Sequence, residues 1–115
     1  MLQVPEINLG IIVIRPVDRR LLVQGDVVQM TEQESYILEA LALCANTMVT
    51  YRMLTVVALQ ASPRGKRFSG LSRDDAGRDI LRVRISRLRS KLGGAKGVRI
   101  DAVRGIGYKL IVDLN

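Results

Sequence analysis

Short apolar runs alternate with turn-forming residues over the first thirty positions, a pattern typical of short antiparallel strands. Three runs carry the pattern, at positions 11–14, 21–23 and 27–28. Gly25-Asp26 separates the last two runs and predicts a tight hairpin turn. We therefore expect an irregular leader over residues 1–8 and a small three-stranded sheet over residues 9–30.

The spacing of apolar residues becomes helical after Thr31. Thr31 and Glu34 fit a capping box, in which the threonine hydroxyl accepts a bond from the third helical amide and the glutamate accepts one from the threonine amide. The apolar face of this first helix is formed by Ile37, Leu38, Leu41, Ala42 and Ala45. Cys44 is interpreted as a small residue in or beside that face.

A second helix is predicted after a break at Asn46-Thr47, and Thr50 can cap it. Its packing stripe consists of Leu54, Val57 and Ala58. Residues 61–75 follow without helical periodicity and are predicted to form a loop.

A third helix is predicted from about Asp75 to Leu92. Its apolar residues recur at helical spacing and lie within about 60° of one another at about 100° per residue. They are Leu81, Ile85, Leu88 and Leu92. The opposite face carries Val83, Ser86, Arg87 and Ser90, and the flanks carry Arg82 with Arg89 and Arg84 with Lys91. The helix is therefore expected to pack through its apolar stripe and to present positive charge elsewhere.

A β-hairpin is predicted after the third helix, which Gly93-Gly94 ends. Two runs with strand character follow, Val98–Val103 and Tyr108–Val112. Arg104-Gly105-Ile106-Gly107 joins them, so an arginine stands at the tip of the hairpin. The elements together predict an α+β fold.

The length of 115 residues is sufficient for one domain only. Hydrophobic residues make up 48% of the chain and charged residues 25%, which is the composition of a globular protein rather than a disordered tail. We expect one domain over residues 1–115, with a three-helix core over 31–92 and the hairpin over 98–112.

Positive charge is concentrated in the second half of the chain. Residues 1–61 hold four basic and six acidic side chains, a net charge of −2, whereas residues 62–109 hold fourteen basic and four acidic ones, a net charge of +10. A solvated surface usually mixes its signs, so this segregation favours a protein that binds a polyanion such as nucleic acid. Beyond Asp79 no acidic residue stands four positions from the third helix's arginines, which predicts that a partner outside the fold relieves their repulsion.

The composition disfavours several other classes of protein. The chain has no histidine and one cysteine, so it offers no disulfide and no zinc-ligand set, and we expect no cofactor. Catalysis by acid and base groups would then need paired carboxylates on one face, whereas Asp74-Asp75 are sequence neighbours whose place at a helix start is explained by capping. An enzyme is therefore the poorest hypothesis. No apolar run approaches the roughly 20 residues that span a bilayer, and we expect a cytoplasmic protein.

Two motifs in the basic half carry a resemblance to a known family. They are RVRISRLRSKL at 82–92 and VRGIGY at 103–108, and the segments 19–25, 30–34 and 49–54 match upstream. In this order the motifs resemble the OmpR/PhoB-type winged-helix DNA-binding domain over about Leu9 to Val112. The resemblance implies a winged helix-turn-helix fold and a transcriptional regulator that binds double-stranded DNA.

The resemblance also implies roles for individual residues. The third helix enters the major groove, with Val83 and Arg87 facing bases and Arg84 and Arg89 facing phosphates. Arg104 at the wing tip reaches the adjoining minor groove, and Tyr108 contacts a phosphate. The full predicted set of DNA-binding residues is Arg82, Val83, Arg84, Ser86, Arg87, Arg89, Lys91, Arg104, Tyr108 and Lys109. Asp79, Arg82 and Arg84 differ from the residues that are usual in the family at these positions. For this reason the resemblance does not imply which bases the helix recognises.

The family implies partners as well. Its domains bind direct repeats head to tail, which implies two copies of this chain on DNA, and its loop between the second and third helices can contact RNA polymerase. Residues 61–75 match that loop in position but not in sequence. Response regulators of this family carry an N-terminal receiver, and only about eight residues precede the first strand here, so the sequence is interpreted as an orphan regulator or a fragment.

Two other functions remain open from the sequence. A winged helix can serve as a protein-interaction module, in which the third helix or the loop binds an acidic partner such as a polymerase subunit or another regulator. It can also bind DNA without regard to sequence, as an architectural protein does. Salt-dependent binding to random duplexes distinguishes the first from a DNA binder, and a selection on randomised duplexes distinguishes the second.

Overall fold

A computed structural model of the chain describes residues 5–60 and 75–113. The helices are α1 (Glu32–Leu43), α2 (Tyr51–Gln60) and α3 (Asp75–Leu92). The strands are β1 (Ile7–Asn8), β2 (Ile12–Arg15), β3 (Arg20–Val23), β4 (Asp26–Gln29), β5 (Met48–Thr50), β6 (Val98–Val103) and β7 (Gly107–Val112). The predicted polymerase-contacting loop lies outside the described residues except for Asp75, and so does Asp74 with its predicted capping role.

The N-terminal sheet has four antiparallel strands in the order β1-β2-β3-β4, where the sequence predicted three. The additional strand β1 falls in the predicted leader and pairs Ile7 with Ile14 of β2. The β3–β4 turn consists of Gln24 and Gly25, one position earlier than predicted, because Asp26 already pairs with Val23. Both turn residues have positive φ, 50° and 91°, as a type I′ turn requires.

Helix α1 begins with the predicted capping box. The Glu34 amide donates to Thr31 Oγ1 at 3.2 Å, and the Thr31 amide donates to Glu34 Oε1 at 2.8 Å. Ile37, Leu38, Leu41 and Ala42 are buried as expected, whereas Cys44 is the exposed C-cap and lies beside the apolar face. The buried Ser35 hydroxyl donates to the Pro16 carbonyl at 3.0 Å, which ties the N-terminal sheet to this helix.

Strand β5 lies between α1 and α2 and was not predicted. It pairs with β7 through Val49 and Tyr108 and through Thr50 and Gly107, so the second sheet has the order β5-β7-β6. Thr50 ends this strand and, as predicted, caps α2, because its hydroxyl accepts a bond from the Met53 amide at 3.2 Å. One residue thus joins the second sheet to the second helix.

Helix α3 has the predicted bounds and packs as its periodicity predicts. Leu81, Ile85, Leu88 and Leu92 are all buried and belong to one core with residues of both sheets and of α1 and α2. The helix ends at Gly93, whose φ is 63° and whose amide donates to Arg89 and Ser90 carbonyls. The elements confirm an α+β fold with a C-terminal hairpin. Across residues 5–60 and 75–113, no helix is both long and apolar enough to cross a membrane.

Candidate nucleic-acid interface

The face of α3 opposite the buried stripe is exposed along its length. Val83, Ser86, Arg87 and Ser90 are all open to solvent, as the sequence predicted. Val83 keeps 46% of its surface accessible, a large value for an apolar residue on an anchored helix. Within the described part of the chain Arg87 makes no ion pair, so its guanidinium is available to an outside acceptor. This face therefore presents the Arg87 guanidinium to solvent from a helix that is anchored in the core.

One flank of α3 lies against the first turn of α1. Arg84 Nε donates to Gln33 Oε1 at 2.7 Å, and Lys91 Nζ lies 2.5 Å from Glu34 Oε1. The Glu34 side chain is fully buried and its Oε2 has no hydrogen-bond partner among the described residues. Burial raises the pKa of Glu34, but the bonds from Lys91 and Thr31 outweigh this effect and hold the pKa below its usual value.

The Lys91–Glu34 pair is a contact that the sequence did not indicate. We expected the repulsion among the arginines of α3 to be relieved from outside the fold, and Lys91 is neutralised inside it by a glutamate from another helix. The pair leaves a quarter of the Lys91 side chain accessible. Lys91 remains among the predicted DNA-binding residues, yet its placement is that of a packing contact between α1 and α3.

The other flank of α3 faces the second sheet. Arg89 Nε donates to the Ile100 carbonyl of β6 at 3.0 Å. Arg82 lies 3.6 Å from Asp79 in a pair whose side chains are both more than 70% exposed, and such surface pairs contribute little stability. Both arginines are exposed, so both remain placed to meet a phosphate.

Tyr108 lies beside this second flank. Its ring packs edge-on against Tyr51 with centroids 5.7 Å apart, and the residue is buried. Burial raises the pKa of Tyr108 and the neighbouring Tyr51 adds to this, against the lowering influence of Arg82 and Arg89. The predicted phosphate-contacting tyrosine therefore sits in the fold as a packed ring close to two cationic side chains.

The hairpin tip carries Arg104 in an exposed turn. The Ile106 amide donates to the Val103 carbonyl at 2.9 Å, and Gly105 has φ 77°, the positive value that the third position of a type II turn requires. Arg104 makes no ion pair with any described residue. The Tyr51 amide donates to the Ile106 carbonyl at 3.0 Å, which fixes the tip turn of the hairpin to the start of α2.

Gly107 allows a close approach within the fold. Here β7 lies so near β5 that a Cβ on Gly107 would stand 1.9 Å from the Val49 carbonyl oxygen and 2.8 Å from Thr50 Cα. The glycine is needed for the second sheet to form.

Lys109 lies on the opposite face of β7 from Tyr108. Tyr108, Leu110 and Val112 of β7 are buried, so Lys109 points to the opposite face of the sheet, away from the core. There it stands across from Asp101 of β6 and Met48 of β5. The structure brings together the exposed face and flanks of α3, and it places Lys109 on another surface.

Sequence reasoning missed Gln33 and Glu34 as neighbours of the basic helix. The capping box marked Glu34 only as a partner of Thr31, and Gln33 carried no signal at all. Their contacts with Lys91 and Arg84 join residues on two different helices. Such pairs depend on how helices pack and are not encoded in any local spacing.

No protein-family model matches the sequence, and no curated protein matches it. Solved structures do match. The DNA-binding domain of CpxR from E. coli superposes with a TM-score of 0.72 at 23% identity, over 95% of this chain and 98% of that one.

Two further matches are somewhat more similar in sequence. The Klebsiella pneumoniae RstA DNA-binding domain, solved in complex with the RstA box, gives a TM-score of 0.65 at 28% identity over 92% of this chain and 96% of that one. The C-terminal effector domain of BfmR from Acinetobacter baumannii superposes with a TM-score of 0.62 at 27% identity, over 100% of this chain and 98% of that one. The chain has the winged-helix fold of OmpR/PhoB-type DNA-binding domains.

The elements described above correspond to those of the OmpR/PhoB-type winged helix. The resemblance read from RVRISRLRSKL and VRGIGY is confirmed for the fold over nearly the whole chain. Helix α3 is the third helix of that fold, and the β6–β7 hairpin is its wing. The contacts of the individual residues with DNA stay predictions.

Proposed function

We propose that this winged helix is a sequence-specific regulator that binds double-stranded DNA, with α3 in the major groove and the wing in the adjoining minor groove. The observation that carries the proposal is the exposed face of α3, where Arg87 makes no ion pair with any described residue and lies opposite a buried apolar stripe. The RstA domain, which shares this fold, was solved on a DNA box.

The chemistry of the exposed side chains suits each groove. Arg87 can form a bidentate pair with guanine, the commonest specific contact in the major groove. Arg104 on a narrow tip suits a minor groove that is narrow and electronegative. Arg82, Arg84 and Arg89 on the flanks of α3 suit the phosphates on either side, which position a protein without reading sequence.

We further propose tandem binding on direct repeats about one helical turn apart. A domain of 115 residues offers a limited contact area, and two adjacent copies would double it. Occupancy should then be cooperative, measured by titrating duplexes that carry one or two half-sites. Tight binding of one copy to one half-site, without gain from a second, would contradict this arrangement. Contact of residues 61–75 with RNA polymerase stays a prediction from the family resemblance.

The first experiment is a titration with random duplex DNA at two or more salt concentrations. If about 5 to 8 phosphates are neutralised, log K should fall with log salt at a slope of about −4.5 to −7. A selection on randomised duplexes then separates a sequence-specific regulator from an architectural binder. Absence of binding at low salt would overturn the proposal and favour the protein-interaction module instead.

A further inference from the structure

Two arginines on opposite flanks of α3 are held in the same way. Arg84 Nε donates to the Gln33 side-chain oxygen at 2.7 Å, and Arg89 Nε donates to the Ile100 main-chain oxygen at 3.0 Å. At about 100° per residue the two side chains leave the helix about 140° apart across the buried stripe, and the exposed face of Arg87 lies in the remaining arc of about 220°. Each guanidinium is anchored to an element other than α3.

Anchoring through Nε has a specific consequence for a guanidinium. The group is planar and carries five N–H donors in a fixed fork, so a bond at Nε fixes its plane. The bonds to Gln33 and Ile100 do not use the terminal amino groups, which form the face that binds a phosphate in bidentate fashion. An arginine held in this manner loses less side-chain freedom when it binds.

The neighbouring residues Gln33 and Glu34 bind two cationic side chains, Arg84 and Lys91, with different effects on their charge. Glu34 is charged and buried, and it neutralises Lys91. Gln33 is neutral, so its bond orients Arg84 and leaves the positive charge of the guanidinium uncompensated. A carboxylate at position 33 would orient Arg84 equally well but would cancel the charge that attracts a phosphate.

We propose that Gln33 is a positioning residue that presents the Arg84 guanidinium to a DNA phosphate, as the Ile100 carbonyl presents Arg89 on the other flank. The inference rests on the proposed DNA-binding function and adds a residue outside the predicted DNA-contact set. Gln33 acts through Arg84 and needs no contact with DNA of its own.

The test compares Gln33→Met with the parent on a duplex chosen by the selection. Loss of the anchoring bond should weaken binding by about 2–10-fold, because an Arg84 side chain that is no longer held must be immobilised when it binds, and should leave the salt slope unchanged because no charge is altered. In an Arg84→Ala background the same substitution should have no effect on affinity, since the group that Gln33 positions is gone. Gln29→Met is the matched control, because among the described residues Gln29 Nε2 donates to the main-chain oxygens of Arg19 and Met30, at the edge of the N-terminal sheet.

A second variant makes the test independent of small stability losses. Gln33→Glu keeps an acceptor for Arg84 but neutralises it, so the salt slope should become shallower by about 0.9, the contribution of one phosphate. The inference would be overturned if Gln33→Met lowered DNA affinity equally with and without Arg84, or if Gln33→Glu left the salt slope unchanged. In both cases the parent would still bind DNA, so the proposed function would stand. If the parent binds no duplex, the proposed function fails first and the inference falls with it.

Discussion

Replacing Lys91 by methionine tests the contact that fixes α3 to α1. The variant keeps the length and apolar stem of the side chain and removes its charge. Glu34 would then be a fully buried carboxylate with the Thr31 capping bonds but without its cationic partner. An uncompensated buried charge is among the few causes of a large destabilisation by one substitution.

The magnitude follows from the burial of the two side chains. Breaking a fully buried ion pair by removing one partner costs about 3–5 kcal/mol. Lys91 keeps 25% of its side chain accessible, so water can partly replace it. We therefore expect a loss of about 2–4 kcal/mol in the free energy of unfolding, which for a domain of this size lowers Tm by about 8–16 °C.

The loss should also depend on pH. The pKa of Glu34 is lowered in the folded protein, so its pair contributes stability above the ordinary glutamate pKa and loses that contribution as pH falls through the folded-state pKa. In Lys91→Met the burial of Glu34 still raises the pKa of its carboxyl, but the lysine that lowers this pKa is gone. The carboxyl of the variant therefore accepts a proton more readily. The difference in stability between parent and variant should therefore be largest at neutral pH and should shrink in acid.

Urea denaturation followed by circular dichroism at several pH values measures both effects. Lys96→Met is the matched control, because Lys96 is exposed after the end of α3 and should change stability by less than about 0.5 kcal/mol. A Lys91→Met variant as stable as this control, or one whose deficit is the same at all pH values, would show that the ion pair does not stabilise the contact between α1 and α3.

Two further substitutions test the wing. Gly107→Ala should destabilise the protein by about 1–3 kcal/mol or more in thermal unfolding, because its Cβ would collide with the backbone of Val49. Gly94→Ala is the control, since a Cβ there meets open space and should not destabilise the protein. Equal stability of the two variants would count against the close approach of Gly107 to β5. Arg104→Ala should leave Tm unchanged. Selection and titration should show weaker binding and a reduced sequence preference only in the A·T-rich segment that flanks the site. A loss of base preference in the segment contacted by α3 would be inconsistent with a wing tip in the minor groove.

The helices were predictable because their signals are local. Thr31 and Glu34 lie within one turn, and the stripe from Leu81 to Leu92 repeats three times along one helix, so both could be read without knowing the fold. Burial of the stripe then fixes which side chains of α3 face solvent. The exposed face around Arg87 follows from the sequence for this reason.

The short strands could not be predicted in the same way. Strand β1 has two residues and β5 has three, too few for an alternating pattern to be recognised. What makes Met48–Thr50 a strand is its pairing with β7, and that pairing depends on the absence of a side chain at Gly107. The sequence presents this glycine as part of a turn, and only the packed fold reveals the neighbouring strand.

The flanks of α3 were predicted in composition but not in arrangement. Periodicity places Arg84 and Lys91 on one side of the helix, yet it gives no indication that Gln33 and Glu34 lie opposite them. The difference between an arginine presented to solvent and a lysine neutralised inside the fold is set by which helix packs there. Such contacts between helices decide how much of a basic surface is available to a ligand.

In the proposed complex with DNA, α3 reads bases through Arg87. Selection on randomised duplexes with the parent and with Arg87→Ala, followed by titration on the preferred site and on random DNA, tests this role. We predict that the variant loses the base preference at one position and about 1–3 kcal/mol on the preferred site, while random-DNA affinity changes much less and circular dichroism is unaltered. An Arg87→Ala variant with the parent's sequence preference and affinity would contradict this role.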